Sequence, residues 1–313
     1  MNKKITTVIV TFNSLRNNWI YKCLDALMES NYKTEIIIID NNSTDDTCNI
    51  IKEKYPEVIL IENKENKGFG QANNQGFEYG LKNGSDYFFL LNQDAYVETT
   101  TIKSLVEQSL KNHEYGILSP IHFNYNGGEL EHYFSVFMST AKTPFFFAEH
   151  ILKKPREIYD TKFVNAAAWL IPRQTVLDIG GFDTMFFQYG EDDNYCQRVL
   201  YHGYKIGVVT GCFIYHDSYI RVQPNDYLES AKYLEDIEKT IKTNYGNINV
   251  DINDYYRNEI KSVYYKMLIN ALTFKFKSLP NFMREMKIIK KSFTEIHRSR
   301  EINKGKGCHY LNL

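Results

Sequence analysis

Apolar positions along the first 120 residues follow two rhythms. Short continuous runs read as strands: TTVIVTF (6–12), EIIIID (35–40), VILIEN (58–63), YFFLLN (87–92) and GILSPI (116–121). Between them lie helix-length segments near 18–30, 44–54, 70–83 and 99–112, where polar and apolar residues mix. Strands apolar throughout, joined by helix-length connections, predict an α/β fold with a mostly parallel sheet covered on both faces. Ligands in such sheets bind at the carboxyl ends of the strands. Asp40 and Asp94 sit at such ends, so both carboxylates are expected to line one crevice. The fourth run breaks from YFFLL into Asn92, Gln93 and Asp94. A buried strand tolerates a charge at its end only where that end meets water, a counter-charge or a metal.

Capping chemistry supports the second helix, because NNSTDDT (41–47) offers Ser43 or Thr44 as N-cap with acidic residues in the first turn. Pro56 then stops it. From 122 to 162 the rhythm dissolves into an aromatic-rich stretch with NGGE and TPFFF, expected as loops and irregular strands. It is either an acceptor-binding flap or core beneath a long loop. Beyond Asp226 the chain turns helical and basic, and PNFMREMKIIKKSF sets Phe282, Met286, Ile289 and Phe293 on one stripe. The final dozen residues read as a poorly ordered tail. Two parts follow: an α/β domain over 1–225 and a basic helical region over 226–313.

Charge sharpens that division. The net charge is −1, yet residues 254–313 hold 13 Lys/Arg against 5 Asp/Glu. Three partners suit such a segment: nucleic acid, an anionic membrane surface or a second subunit, giving a homo-oligomer. Nucleic acid is disfavoured, since no recognition motif accompanies the charge. Lysines near anionic lipid gain roughly 1 kcal/mol each, which supports peripheral contact with a membrane. The alternative is that the stripe packs on the α/β domain and its lysines face water. No apolar run approaches the roughly 20 residues of a spanning helix. MNKKITTVIVTFN lacks a signal peptide's long apolar region and cleavage site, so it reads as the first strand. Five scattered cysteines without metal spacing fit a reducing cytoplasm.

Clusters of chemistry fall at strand ends and loops: TFN (11–13), DNNSTD (40–45), NKGFGQANNQG (66–76), NQD (92–94), FFQYGEDDNYCQR (186–198) and YHDS (215–218). GFG at 68–70 suggests a dinucleotide-binding loop, but that fingerprint needs a third glycine, and position 73 is Asn. The stretch also follows the third strand rather than the first. Taken in order, VIVTFNS, IIIIDNNSTDDT, NKGFGQANNQG, LLNQDAYV and GGFDTMFFQYGEDDNYCQRVLYHGYKIG resemble the inverting glycosyltransferases of family 2, with a GT-A fold. The resemblance covers roughly residues 4–220 and is nearest the rhamnosyltransferase-like members.

That resemblance implies chemistry residue by residue. A nucleotide sugar leaves as a nucleoside diphosphate, and a divalent cation, Mn²⁺ or Mg²⁺, held by oxygen ligands neutralises the growing charge. Asp94 matches the last position of the family's metal motif, with Asn92 in the first, which lowers the ligand charge. His216 matches a histidine that completes the metal or diphosphate site, and imidazole suits Mn²⁺ better. Glu191 and Asp192 match the family's acidic pair, with Asp192 as the base that deprotonates the acceptor. Three adjacent acids, Glu191 to Asp193, cannot all ionise comfortably if partly buried. Asn194 stands where relatives carry a further carboxylate, and Arg198 is expected in a structural ion pair. Thr11, Asn13, Asp40 and Asn41 would contact the nucleoside. Lys67, Gly68, Gly70, Asn74 and Asn92 would border nucleotide and sugar, the glycines allowing close backbone approach.

The expected function is transfer of a sugar from dTDP-rhamnose or a UDP-sugar to a glycan or lipid-linked glycan in surface polysaccharide synthesis. The competing class is a non-catalytic GT-A-like scaffold or membrane-associated assembly protein. Asn92 favours the scaffold and Glu191–Asp192 favours the enzyme.

Overall fold

In the computed structural model, which describes residues 3–218 and 225–313, the apolar runs become strands buried on both faces of one sheet. The first half alternates β1 (Ile5–Thr11), α1 (Trp19–Glu29), β2 (Glu35–Asp40), α2 (Thr47–Lys54), β3 (Ile59–Glu62), α3 (Phe69–Lys82) and β4 (Tyr87–Leu91). α2 begins three residues later than the sequence placed it. Asp45, rather than Ser43 or Thr44, closes its first turn, accepting from the Thr47 backbone N–H (3.1 Å) and hydroxyl (2.5 Å). Gly76 and Gly80 let α3 lie directly on the sheet. A Cβ on Gly76 would stand 2.3 Å from Val8 Cγ1, and one on Gly80 2.5 Å from Phe88 Cε1.

Past β4 come β5 (Ala95–Val97), α4 (Thr101–Lys111) and β6 (Tyr115–Asn124). The aromatic stretch expected as irregular strands contains two short helices, α5 (His132–Phe137) and α6 (Phe146–Ile151), before β7 (Ile158–Thr161). The buried Glu131 carboxylate caps α5, accepting from the Tyr133 (3.1 Å) and Phe134 (2.7 Å) N–H groups. β8 (Ala168–Pro172), α7 (Arg173–Ile179), α8 (Glu191–Tyr201) and β9 (Lys205–His216) complete this part. The sheet runs β3-β2-β1-β4-β8-β6-β9-β5, with β7 also on β9. The first four strands are parallel, and β8 enters antiparallel between β4 and β6. Thr11 pairs in register with Asp40, so β1 and β2 end level.

Three helices follow: α9 (Ala231–Gly246), α10 (Tyr255–Leu272) and α11 (Leu279–Asn303). They bury a cluster of their own around Tyr233, Val263, Phe282 and Ile289. The α11 stripe, for which lipid contact and packing on the α/β domain both stood open, faces inward: Phe282 and Ile289 are buried, and Met286 and Phe293 pack against them. The tail is also not loose. Residues 305–312 form a strap over the α/β part: Gly181 N–H donates to His309 O (2.8 Å), Lys82 to Asn312 O (2.9 Å) and Lys306 to Asp178 (2.6 Å).

Asp183 ties these parts together. Its buried carboxylate accepts from Met185 N–H (2.9 Å), Ser299 (2.6 Å), Asn303 (2.9 Å) and Tyr310 (2.9 Å). Replacing Asp183 by Ala strands three side-chain donors from α11 and the strap. The expected cost is about 3 kcal/mol, read as a lower urea midpoint at unchanged slope.

Candidate active site

The carboxyl ends of β1 and β2 open the crevice. Asp40, fully buried, accepts from Thr11 (2.8 Å), Ser43 N–H (2.8 Å) and Ser43 hydroxyl (2.5 Å). Asn41 donates to Asn66 (3.0 Å) and Gly68 O (3.1 Å) and accepts from Lys67 N–H (3.1 Å). Thr11, Asp40 and Asn41 thus form an internal brace that shapes the crevice. Asn13 takes the left-handed conformation, φ 51°, and its amide oxygen accepts from Thr44 N–H (2.8 Å). Gln93 clamps β4 to the loop after β1, accepting from Phe12 N–H (2.8 Å) and the Ser14 hydroxyl (2.5 Å).

Across the crevice, Gly68 has φ +80° and no room for a side chain. A Cβ there would lie 1.9 Å from the Phe187 carbonyl oxygen. A Cβ on Gly70 would meet Phe182 Cβ at 2.9 Å and Glu191 Cβ at 3.6 Å, so this loop lies against the start of α8. Lys67 has no carboxylate partner among the described residues. Asn74 is directed elsewhere: its amide donates to Phe182 O (2.9 Å) and accepts from Phe182 N–H (2.7 Å), clamping the GGFD turn.

Beyond β4, His216 Nε2 at the end of β9 lies 3.3 Å from Asp94 Oδ1 and 3.4 Å from Asn92 Nδ2. Burial opposes charge on this imidazole, but the Asp94 carboxylate, joined by Glu131 and Asp217, outweighs it, and the His216 pKa stands above its usual value. Asn92 Oδ1 and His216 Nδ1 are buried without a hydrogen-bond partner. One carboxylate, one imidazole and an amide oxygen are donors a divalent cation accepts. No set of three or more His, Cys, Asp or Glu side chains surrounds a common point among the described residues. A cation here would need further oxygens from a ligand or water.

α8 starts at Gly190, φ +95°, and places Glu191, Asp192 and Asp193 in its first turn. Glu191 is buried, one of its oxygens has no partner, and burial with the neighbouring Asp192 pushes its pKa up to about 8. Burial and the same neighbour raise Asp193 to about 7. Burial also raises Asp192, against the Asp193 N–H at 2.9 Å. Asp192 is half-buried. The three acids titrate as a set. The positive charge of Lys239, on α9, favours ionisation of all three. Asp192 lies within reach of the Ala166 backbone, and Asn92 N–H donates to Ala167 O at 3.0 Å. Adjacent residues ahead of β8 therefore hold both acidic centres. A cleft of about 1050 Å³ runs from Gln71 and Phe186–Tyr189 to Lys239, Arg298 and Tyr310.

Several contributions differ from the sequence-based expectation or have no counterpart in it. Arg198 makes no ion pair among the described residues: its guanidinium donates to Asn194 (3.0 Å), Ile179 O (2.9 Å) and Gly181 O (2.6 Å). Asp217 joins the β9 end to α1, accepting from Trp19 Nε1 at 2.7 Å. Glu131 and the fully buried His122 lie behind His216. Lys239 offered no signal at all, because only the tertiary fold carries α9 to the acids.

A parallel sheet extended by an antiparallel strand, with acidic centres at the strand ends and at a helix start, is the GT-A architecture. The profile of the family described as "Glycosyl transferase family 2" matches residues 6–170, and the chain belongs to that family. It is 26% identical over 221 residues (64% of this chain, 63% of the relative) to a dolichyl N-acetyl-alpha-D-glucosaminyl phosphate 3-beta-D-2,3-diacetamido-2,3-dideoxy-beta-D-glucuronosyltransferase of Methanococcus voltae. It is 22% identical over 219 residues (69% and 70%) to the dTDP-rhamnosyl transferase RfbF of Shigella flexneri. The chain spans less than two thirds of the length of several curated relatives it matches. Among solved structures, GalNAc-T7 with UDP, GalNAc and Mn²⁺ superposes with a TM-score of 0.61 at 15% identity, over 98% of this chain and 55% of that one. At that identity the likeness concerns the fold.

The acids carry a pH signature. Glu191 ordinarily titrates at 4.5 and here near 8, so between those values the folded chain holds a proton that the unfolded chain has released. Stability then falls as pH rises through that window. Glu191→Gln is expected to flatten the fall of melting temperature from about pH 5 to about pH 8. An unchanged slope would contradict the assignment.

Proposed function

We propose that the chain is an inverting, metal-dependent glycosyltransferase that moves a sugar from a nucleotide donor to a glycan or lipid-linked glycan acceptor. It would act on the cytoplasmic side in surface polysaccharide synthesis, with dTDP-rhamnose or a UDP-sugar as donor. The observation that carries this reading is the juxtaposition of two acidic centres through Ala166 and Ala167. Asp94 with His216 stands on one side, and Asp192 with its acidic neighbours on the other. The names of RfbF and of the UDP- and Mn²⁺-bound neighbour support the donor class and the cation.

In this reading Thr11, Asp40 and Asn41 set the shape of the nucleoside pocket, and Asn13 lines it. Lys67, with no carboxylate partner among the described residues, reaches the diphosphate. Gly68 and Gly70 let the backbone approach the sugar. Asp94, His216 and Asn92 would hold the cation, which when bound neutralises charge on the departing diphosphate. Asp192 takes the proton from the acceptor hydroxyl as that oxygen attacks the anomeric carbon opposite the leaving group. Glu191, raised towards neutral pH, stays protonated beside it and spares Asp192 a second adjacent negative charge. The cleft lined by Phe187 and Tyr189, just ahead of α8 in the chain, and by Lys239, the α9 lysine that faces its acids, is suited to the acceptor glycan, with both aromatic and polar side chains.

Thermal melting with UDP, dTDP or GDP, in Mn²⁺, Mg²⁺ or chelator, tests the donor side, because a ligand that binds only the folded chain raises the melting temperature. Stabilisation by a UDP or dTDP compound that needs the metal and disappears in Asp94→Ala is the expected result. Asp192→Asn should keep that stabilisation while lowering turnover by roughly 10²–10⁴-fold. Transfer at the wild-type rate in Asp192→Asn would remove it as base. Absence of both nucleotide binding and transfer would favour the scaffold reading.

A further inference from the structure

The apolar stripe of α11 is buried, yet the fold exposes another that its periodicity did not single out. On α10, Tyr265, Leu268 and Leu272 share a face one or two turns apart and stand in solvent. The turn that follows adds Phe274 and Phe276, whose rings lie 6.1 Å apart. Leu272 is 66% exposed and Phe274 82%. Large side chains grouped this way on a chain surface mark a contact rather than chance exposure.

The charge along this segment is one-sided, although the exposed Glu229 lies on a neighbouring turn that packs against residues 276–278. Residues 257–291 hold nine Lys/Arg and two acids, Glu259 and Glu285. Both acids are engaged internally, Glu259 by the Tyr245 hydroxyl and Glu285 by Lys266 at 2.6 Å and the Tyr233 hydroxyl. Lys261, Lys275, Lys277 and Lys287 have no carboxylate partner among the described residues.

We propose that the α10–α11 turn docks on the surface of a bilayer containing anionic phospholipid. Leu268, Leu272, Phe274 and Phe276 enter the headgroup boundary, and the lysines beside them pair with lipid phosphates. Aromatic and aliphatic side chains rimmed by lysine match that interface in both polarity and sign. A second copy of the chain fits poorly, because two strongly positive faces would meet. Nucleic acid would supply phosphates but leave the aliphatic side chains wet. The inference is independent of the donor and acceptor assigned above.

Cosedimentation of the full chain with vesicles, without substrate, tests it. Binding is expected to phosphatidylcholine vesicles containing phosphatidylglycerol, to exceed that to phosphatidylcholine alone, and to weaken with salt. Leu272→Gln with Phe274→Asn should reduce partitioning at least about tenfold while melting temperature and nucleotide binding hold. Asn suits the left-handed backbone at that position, φ 57°. Lys275→Glu with Lys277→Glu should abolish the preference for anionic vesicles. Equal partitioning to both vesicle types, or partitioning unchanged in the Leu272/Phe274 variant, overturns the proposal. So does self-association in sedimentation equilibrium that the same variant removes, since the face would then be a contact between copies.

Discussion

A buried carboxylate without a cation holds this molecule together. Asp183 satisfies its charge with neutral donors: a backbone N–H, two side-chain hydroxyls and an amide, drawn from its own turn, α11 and the strap. Such charge-assisted hydrogen bonds are stronger than neutral ones, and each donor left without its acceptor would be a buried polar group with nowhere to go. The same turn is gripped from two further sides, by Arg198 on the carbonyls of Ile179 and Gly181 and by Asn74 on Phe182. α8 begins a few residues later, so the position of its acidic first turn is inherited from this clamp.

That first turn balances opposing terms. The N-terminal end of a helix favours negative charge, and Lys239 adds to it. Burial and mutual repulsion outweigh both, and the acids rise well above their ordinary range. The other centre behaves oppositely. Around Asp94 the neighbour is a histidine, and attraction outweighs burial. The two centres thus differ: the carboxylates at the start of α8 resist ionisation, whereas the charge on His216 is favoured.

The parallel half of the sheet was legible because β1, β2 and β4 are apolar on both faces and leave no other reading. β8 was not, since a five-residue run after an aromatic stretch resembles ordinary core, and its antiparallel insertion depends on partners distant in sequence. At the site, residue types at strand ends located the crevice but not each side chain's partner. Asp40 and Asn74 are polar groups of the expected kind, yet their oxygens serve the protein's own backbone and hydroxyls. The stripe at Phe282–Phe293 was correctly periodic, but periodicity does not say whether water or another helix covers a face. The strap escaped because its hold lies partly in backbone carbonyls that any residue possesses and partly in side-chain partners, Asp178 and Asp183, more than a hundred residues away in sequence.

The contact between Gly68 and Phe187 is asymmetric in what it permits. With 1.9 Å between a notional Cβ and the carbonyl oxygen, the segment carrying Phe187 is already against a wall. It cannot press further in. Gly68 is in turn braced from behind by Asn41. The wall therefore acts as a doorstop: it sets how near the Phe187 rim of the cleft can come to the Gly68 loop, and any side chain at position 68 would have to push that rim outward.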